Sequence, residues 1–230
     1  MAELIDIADI DIVFISYDEP NADRNWIELK KIAPWAKRIH GVKGSDSAHK
    51  AAADISDTDR LVTVDGDNQI LPEFLNQTLI LNEENFDHVF SWKSINYVNG
   101  LYYGNGGLKC WTKEFIENMN THESSKDDNP ANKIEFCWLE KYTQMYNIYS
   151  TTFMNSSEYQ AWRAGYREGI KLILNRGIKP DKDNFVENVY KRNLDLLGIW
   201  MCVGSDINNG KYSILGSRQG LVDLMINDIN

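Results

Sequence analysis

The sequence predicts an α/β protein built on one wound, mixed β-sheet flanked by helices, with a helical C-terminal portion. Three observations carry this. Apolar, β-branched runs at residues 10–16, 38–42 and 61–64 read as buried strands. Between them lie two segments with helical periodicity. The order strand-helix-strand-helix-strand, with short connections, specifies parallel strands joined by right-handed crossovers.

The elements follow in order. The first strand, Ile-Asp-Ile-Val-Phe-Ile-Ser, ends in the polar mouth Tyr17-Asp18-Glu19-Pro20. The first helix starts at about Asp23, places Trp26, Leu29, Ile32 and Ala33 at helical spacing, and is stopped by Pro34. Gly44-Ser45 opens a second helix, 47–55, which leads into the strand before Asp65. Pro72 at a first turn predicts a helix over 72–81. Residues 88–92 read as a strand, and 97–111, aromatic and with four glycines, as extended chain with bends. Thr112 caps a helix carrying Phe115, Ile116 and Met119. The polar stretch 122–133 reads as an exposed loop, 134–145 as a helix and 148–153 as a strand. Asn155 to Glu158 has the form of a capping box for a helix reaching Leu174. A further helix spans 180–197 and ends at Gly198, and Asn209-Gly210 marks a hairpin turn in the tail.

Composition narrows the class. Hydrophobic content of 43% and charged content of 25% are ordinary for a soluble globular protein. A net charge of −10 opposes broad adhesion to nucleic acid or anionic membrane, though it permits a local basic groove. The acidic start lacks the basic flank and apolar core of a signal peptide, and no run has the length of a membrane span. Cys110, Cys137 and Cys202 are far apart and odd in number, which fits a reducing cytoplasm better than a disulfide framework or a zinc knuckle.

One stretch carries chemistry. Leu61-Val62-Thr63-Val64 runs straight into Asp65-Gly66-Asp67. The two-residue period of a strand sends both carboxylates to one side as the strand ends. Two hard oxygen ligands with room for phosphate oxygens suit Mg²⁺ or Mn²⁺. The Asp-x-Asp pattern recurs at Asp9/Asp11, Asp57/Asp59 and Asp181/Asp183. Only Asp65/Asp67 stands at the carboxyl end of an apolar strand, where open α/β sheets bind ligands. The plain alternative is an acidic turn closing a strand.

The passage Ser47-Ala48-His49-Lys50-Ala51-Ala52-Ala53, followed by Thr58 through Asp67, resembles the helix-to-strand passage of GT-A fold glycosyltransferases. There an alanine-rich helix packs beneath a strand ending in the Asp-x-Asp motif. Gly104-Asn105-Gly106-Gly107-Leu108 and Asn155-Ser156-Ser157-Glu158-Tyr159-Gln160-Ala161-Trp162-Arg163-Ala164-Gly165 extend the likeness. Both are similar to small glycosyltransferases of tailed phages. The N-terminal half has fewer strands before Asp65 than a typical family-2 enzyme. No histidine follows His122, so the C-terminal histidine that completes the metal shell in several GT-A enzymes has no counterpart.

The resemblance implies one GT-A-like domain over 1–230, with residues 1–92 binding a nucleotide-sugar, a UDP-sugar foremost, and 93–230 the acceptor. Asp65 and Asp67 would hold Mn²⁺ or Mg²⁺. Ser16, Tyr17 and Glu19 correspond in position to the segment that holds the nucleotide base, where a tyrosine face can stack and a carboxylate can accept N–H or O–H bonds. A solvated turn is the alternative there. His49 and Lys50 lie under the implied diphosphate and can donate to it; a histidine in an alanine-rich helix is as readily structural. Gly106 and Gly107 would let backbone approach the sugar, whereas Trp92 and Trp111 read better as core. Glu135 occupies the place of the general base of inverting enzymes, with Asp128 and Glu140 as rivals. Trp138, Arg163 and Arg167 are the expected acceptor contacts; Arg163, Arg167 and Lys171 form one basic stripe at helical spacing. Asp206 is a weaker candidate to reach the metal. The implied activity is metal-dependent sugar transfer to an acceptor hydroxyl, a hydroxymethylated base of phage DNA among the candidates. A glycan or protein acceptor, a sugar-nucleotidyltransferase and a non-catalytic nucleotide-binding module are the competing readings.

Overall fold

The computed structural model describes residues 3–103, 106–119, 141–174 and 178–226. Their contacts fall into two compact units: the described residues of 1–96, 102–123 and 139–153 form one, and those of 97–101 and 154–230 the other.

The first unit is built on a seven-stranded mixed sheet. β1 (Glu3–Asp6) stands outside it; β2 (Asp11–Ser16), β3 (Lys37–His40) and β4 (Arg60–Asp65) are its parallel part. Helices α1 (Ala22–Ile32) and α2 (Ser45–Ile55) make the connections, as expected from sequence. β5 (Asn68–Ile70), β7 (Val89–Asn96), β8 (Leu108–Thr112) and β9 (Tyr142–Thr152) complete the order β3-β2-β4-β8-β7-β9-β5, while β6 (Thr78–Leu81) pairs with β1. β8 runs antiparallel to both neighbours, and β7 parallel to β9. This is the expected α/β class.

Alternation along β4 divides its side chains between two faces. Val62 and Val64 enter a core with Phe14, Phe74 and Trp92. Thr63, on the other face, accepts the Trp111 Nε1–H bond at 2.7 Å. Trp111, fully buried, lies edge-on to His49. Trp92 and Trp111 are thus core residues, as their plainer reading had it. α3 (Lys113–Asn118) follows β8 and is capped by Thr112 Oγ1, which accepts the Phe115 N–H at 3.1 Å.

Several expected elements differ. The helix expected over 72–81 is a short 3₁₀ turn, Pro72–Asn76, followed by β6. Leu79 and Leu81 are buried while Thr78 and Ile80 are exposed, a period of two that pairing with β1 satisfies. Of the expected 134–145 helix, Lys141 is a bend and the residues from Tyr142 belong to β9, where Tyr142 and Thr143 pair with Val89 and Phe90; 134–140 lie outside the described residues.

The second unit is helical: α4 (Glu158–Lys171), α5 (Phe185–Asn188), α6 (Lys191–Cys202) and α7 (Gly210–Ile226). Ser157, not Asn155, caps α4, its Oγ accepting the Gln160 N–H at 3.1 Å. Asn155 instead exchanges side-chain and backbone bonds with Asn208 and Asn209. The single helix expected over 180–197 is divided, and Gly198 lies inside α6 rather than ending it. In place of a hairpin, Asn209 adopts a left-handed φ of 57° and α7 follows. Small residues explain that helix. Gly216 and Gly220 of α7 meet carbonyls of Trp162 and Tyr166, and Gly165 and Gly169 of α4 meet those of Ser213 and Ser217. Among the described residues no helix is long and apolar enough to cross a membrane.

Candidate active site

The chain passes from β2 to β3 on one side and then returns across β2 to place β4 on the other. The order therefore reverses between β2 and β4, the kind of switch point outside whose carboxyl ends open α/β sheets bind ligands. Ile15 pairs with Asp65 in register, so the segments Ser16–Glu19 and Asp65–Asp67 leave the sheet side by side.

The Asp65-Gly66-Asp67 turn is held from several directions. The Asp65 N–H donates to the Gly107 carbonyl at 2.9 Å, and the Phe153 N–H to the Asp67 carbonyl at 2.7 Å. Asn25, buried on α1, donates from Nδ2 to the Gly66 carbonyl at 2.9 Å and accepts from Gln69 Nε2 at 2.9 Å. Glu19 Oε2 accepts the Tyr17 N–H at 2.8 Å, and a Cβ at Gly66 would lie 2.8 Å from that oxygen. A Cβ at residue 66 would displace the Glu19 carboxylate, so glycine there lets that carboxylate rest against the acidic turn. Asp65 and Asp67 are both half-buried. Asn68, fully buried at the start of β5, donates from Nδ2 to Asp67 Oδ1 at 3.2 Å.

The glycine segment reaches the site because β8 is antiparallel to β4, which sets its amino end beside Asp65. Gly106 donates its N–H to the Trp92 carbonyl at 3.0 Å and accepts from buried Lys109 Nζ at 2.8 Å. A Cβ at Gly107 would overlap Asn68 Nδ2 and come within 2.6 Å of Asp65 Oδ2. The close approach that demands glycine at 107 is therefore to Asp65 and Asn68.

At the β2 mouth, Ser16 is buried and Tyr17 exposed by 47%. Arg38 donates from Nε to Ser16 Oγ at 3.1 Å and from its guanidinium to His40 Nδ1 at 3.2 Å, and Ser16 Oγ lies 3.0 Å from the same nitrogen. Because Nδ1 accepts, the proton of neutral His40 sits on Nε2. Arg38 also pairs with Asp23 at 2.8 Å.

On α2, His49 is buried and its Nδ1–H donates to the Ser45 carbonyl at 2.9 Å. Burial pulls its pKa down, opposed first by the nearby Asp65 carboxylate. Lys50 is exposed on the same helix. Ser16, Tyr17, Glu19, Asp65, Asp67, Gly106 and Gly107 thus converge in one unit. Arg163 and Arg167, exposed on α4, and Asp206 belong to the other. Burial pushes the third member of the basic stripe, Lys171, down to about 8. Glu135, Trp138, Asp128, Glu140 and the loop 122–133 lie outside the described residues.

Among the described residues, no group of three or more His, Cys, Asp or Glu is arranged to hold a metal ion. The acidic pair fits an ion that takes one or two carboxylates and completes its shell with water and phosphate oxygens, as Mg²⁺ does. Of the cysteines, Cys110 is buried, its thiol pushed up to about 11 by desolvation, and Cys202 is exposed and free. Sequence reasoning missed Asn25, Arg38, His40 and Asn68. Only Asn68, next to the Asp-x-Asp pair, had a positional signal.

No family model matches the chain, and no curated protein matches it. Among solved structures it is similar to a glycosyltransferase involved in the glycosylation of the major capsid of PBCV-1, at 13% identity and a TM-score of 0.37 over 64% of this chain and 94% of that one. It is similar also to S. aureus TarS 1-349, at 10% identity and a TM-score of 0.38 over 93% of this chain and 89% of that one. The glycosyltransferase GlyE of Streptococcus pneumoniae TIGR4 matches at 12% identity and a TM-score of 0.33, over 93% of this chain and 62% of that one.

Proposed function

We propose that the chain is a metal-dependent glycosyltransferase that moves a sugar from a nucleotide-sugar, a UDP-sugar foremost, to an acceptor hydroxyl. The observation that carries this reading is the Asp65/Asp67 pair at the carboxyl end of β4, at the switch point with β2. Asp65 and Asp67 would hold Mn²⁺ or Mg²⁺. The ion would neutralise the charge that builds on the departing nucleoside diphosphate.

The chain's own groups divide the remaining work. The exposed Tyr17 ring offers a face to the base. Ser16, Glu19 and the His40 Nε2–H supply polar contacts around it. Lys50, exposed on α2, offers a cation to phosphate, and the Gly106–Gly107 backbone borders the sugar. Glu135 is the proposed base that takes the proton from the acceptor hydroxyl. Trp138, Arg163 and Arg167 are the proposed acceptor contacts. A hydroxymethylated base in phage DNA is the acceptor that the sequence resemblance favours. Exposed Arg163 and Arg167 provide local positive charge for it in a chain of net −10. Action in the cytoplasm accords with this.

Calorimetry with Mn²⁺ and UDP tests the core of the proposal. Wild type should bind the pair, and Asp67→Ala should lose that binding with little change in Tm. Unchanged binding in Asp67→Ala would sink the metal assignment. A thermal-shift panel separates the chemistry: UDP-sugars with Mn²⁺ should stabilise a transferase, whereas stabilisation only by a nucleoside triphosphate with a sugar phosphate would indicate a nucleotidyltransferase. Mass spectrometry of reactions with and without hydroxymethylated DNA then reads the acceptor.

A further inference from the structure

We infer that Asn68 is a positioning residue that aims the Asp65/Asp67 pair at its ligand, and that Gly107 is glycine to admit it. The inference rests on the metal reading of that pair.

Asn68 is 2% exposed, yet its amide is engaged at both ends. Its Nδ2 donates to Asp67 Oδ1 at 3.2 Å. Its Oδ1 lies 2.8 Å from Thr152 Oγ1 and 3.2 Å from Ser94 Oγ, hydroxyls from the carboxyl ends of two other strands. Those hydroxyls are 2.7 Å apart, so one can donate to the other while the amide oxygen still receives a proton. The triangle of Asn68, Ser94 and Thr152 fixes the plane of the amide. An ionised carboxylate only accepts, so the nitrogen end must face Asp67. The point a Cβ of residue 107 would occupy overlaps this nitrogen and lies 2.6 Å from Asp65 Oδ2, so the missing side chain leaves room for the amide beside both acids. A neutral donor suits that place, because it orients a carboxylate and adds no cation to compete with an incoming metal.

The test is Asn68→Ala, with Mn²⁺ plus UDP as probe, calorimetry for affinity and thermal unfolding of the metal-free protein. The variant deletes the donor but leaves Ser94 and Thr152 to pair with each other. Loss of an outer-shell partner costs about 10–100-fold in metal affinity, and we expect a drop in that range, read well below the variant's melting temperature, beside a metal-free Tm lowered by loss of the buried bonds. A merely structural Asn68 predicts the lower Tm with unaltered affinity, and that result overturns the inference. Should Asn68→Ala fail to fold, the double variant Ser94→Ala/Thr152→Val carries the test, since it frees the amide without touching either acid. Weaker binding there supports the positioning role, and wild-type affinity overturns it. Wild-type protein that binds no Mn²⁺ removes the metal reading and this inference together. Wild-type protein that binds while the variants match it removes the inference alone.

Discussion

Replacing Gly165 with alanine should loosen the second unit, while the same change at Gly198 should tighten it. At Gly165 an added Cβ would overlap the Ser213 carbonyl oxygen and lie 2.8 Å from its carbon. Separations under 3.0 Å are essentially never seen for real Cβ atoms. The obstacle is backbone on α7, so no side chain can rotate away and the helices themselves must part. Overpacking of this kind costs about 1–3 kcal/mol, and a rigid obstacle belongs at the upper end. Alanine's better helix propensity returns about 1 kcal/mol, leaving a net loss near 2 kcal/mol. For a chain of this size, about 2–4 °C of Tm accompanies each kcal/mol, so Tm should fall by about 4–8 °C. At Gly198, inside α6, nothing lies within 4 Å of the added Cβ. Only the propensity gain of about 0.5–1 kcal/mol remains, and Tm should rise by about 1–4 °C. Thermal unfolding followed by helical circular dichroism reads both variants. A Gly165→Ala protein as stable as wild type would refute close backbone packing of α4 on α7.

Two further outcomes are expected. Asp11 is largely shielded, and although burial alone would raise its pKa, bonds from the Asp57 N–H, Lys37 and Ser56 leave it below the ordinary 3.8. The unfolded chain then holds a proton that the folded one sheds, so the contribution is complete above about pH 4 and is lost as pH falls through the folded pKa. Asp11→Asn should cost about 1.5–3 kcal/mol at neutral pH, the worth of bonds to a charged group, and flatten the acid limb of the stability profile in urea titrations; a variant with an unaltered acid limb would exclude this account. Glu135→Gln should lower kcat by about 10²–10⁴-fold with donor affinity retained, and a kcat within a factor of two of wild type would transfer the base to Asp128 or Glu140.

How much was legible depended on how local the cause was. β2, α1, β3, α2 and β4 lie within a few residues of their expected places because each is marked by its own apolar run and stop signal, such as Pro34 after α1. β1 and β6 were missed because neither four-residue segment is marked until it pairs with the other. α7 was mistaken for a hairpin for a related reason. Asn209 does take the left-handed conformation that Asn-Gly suggests, but Gly216 and Gly220 acquire meaning only against the carbonyls of α4.

The same distinction separates the acids from their scaffold. Four Asp-x-Asp pairs occur, and the other three include residues with other work. Asp11 lies at the amino end of β2, held by Lys37, which also pairs with Asp57 at 2.5 Å. Asp181 accepts the Asp183 N–H to start a 3₁₀ turn. Strand direction alone distinguishes Asp65/Asp67, and direction is readable from an apolar run followed by acids. Orientation is not readable in that way. Asn25 reaches Gly66 across 41 residues and Asn68 reaches Thr152 across 84. In the sequence each is one more polar side chain on an element's edge. A carboxylate pair can be recognised from its neighbours along the chain, whereas the groups that aim it are chosen by neighbours in space. Asn68 touches both sets at once, adjacent to Asp67 in sequence and tied to β7 and β9 in the sheet. That double attachment lets a strand pairing far along the chain set the angle of a carboxylate at the site.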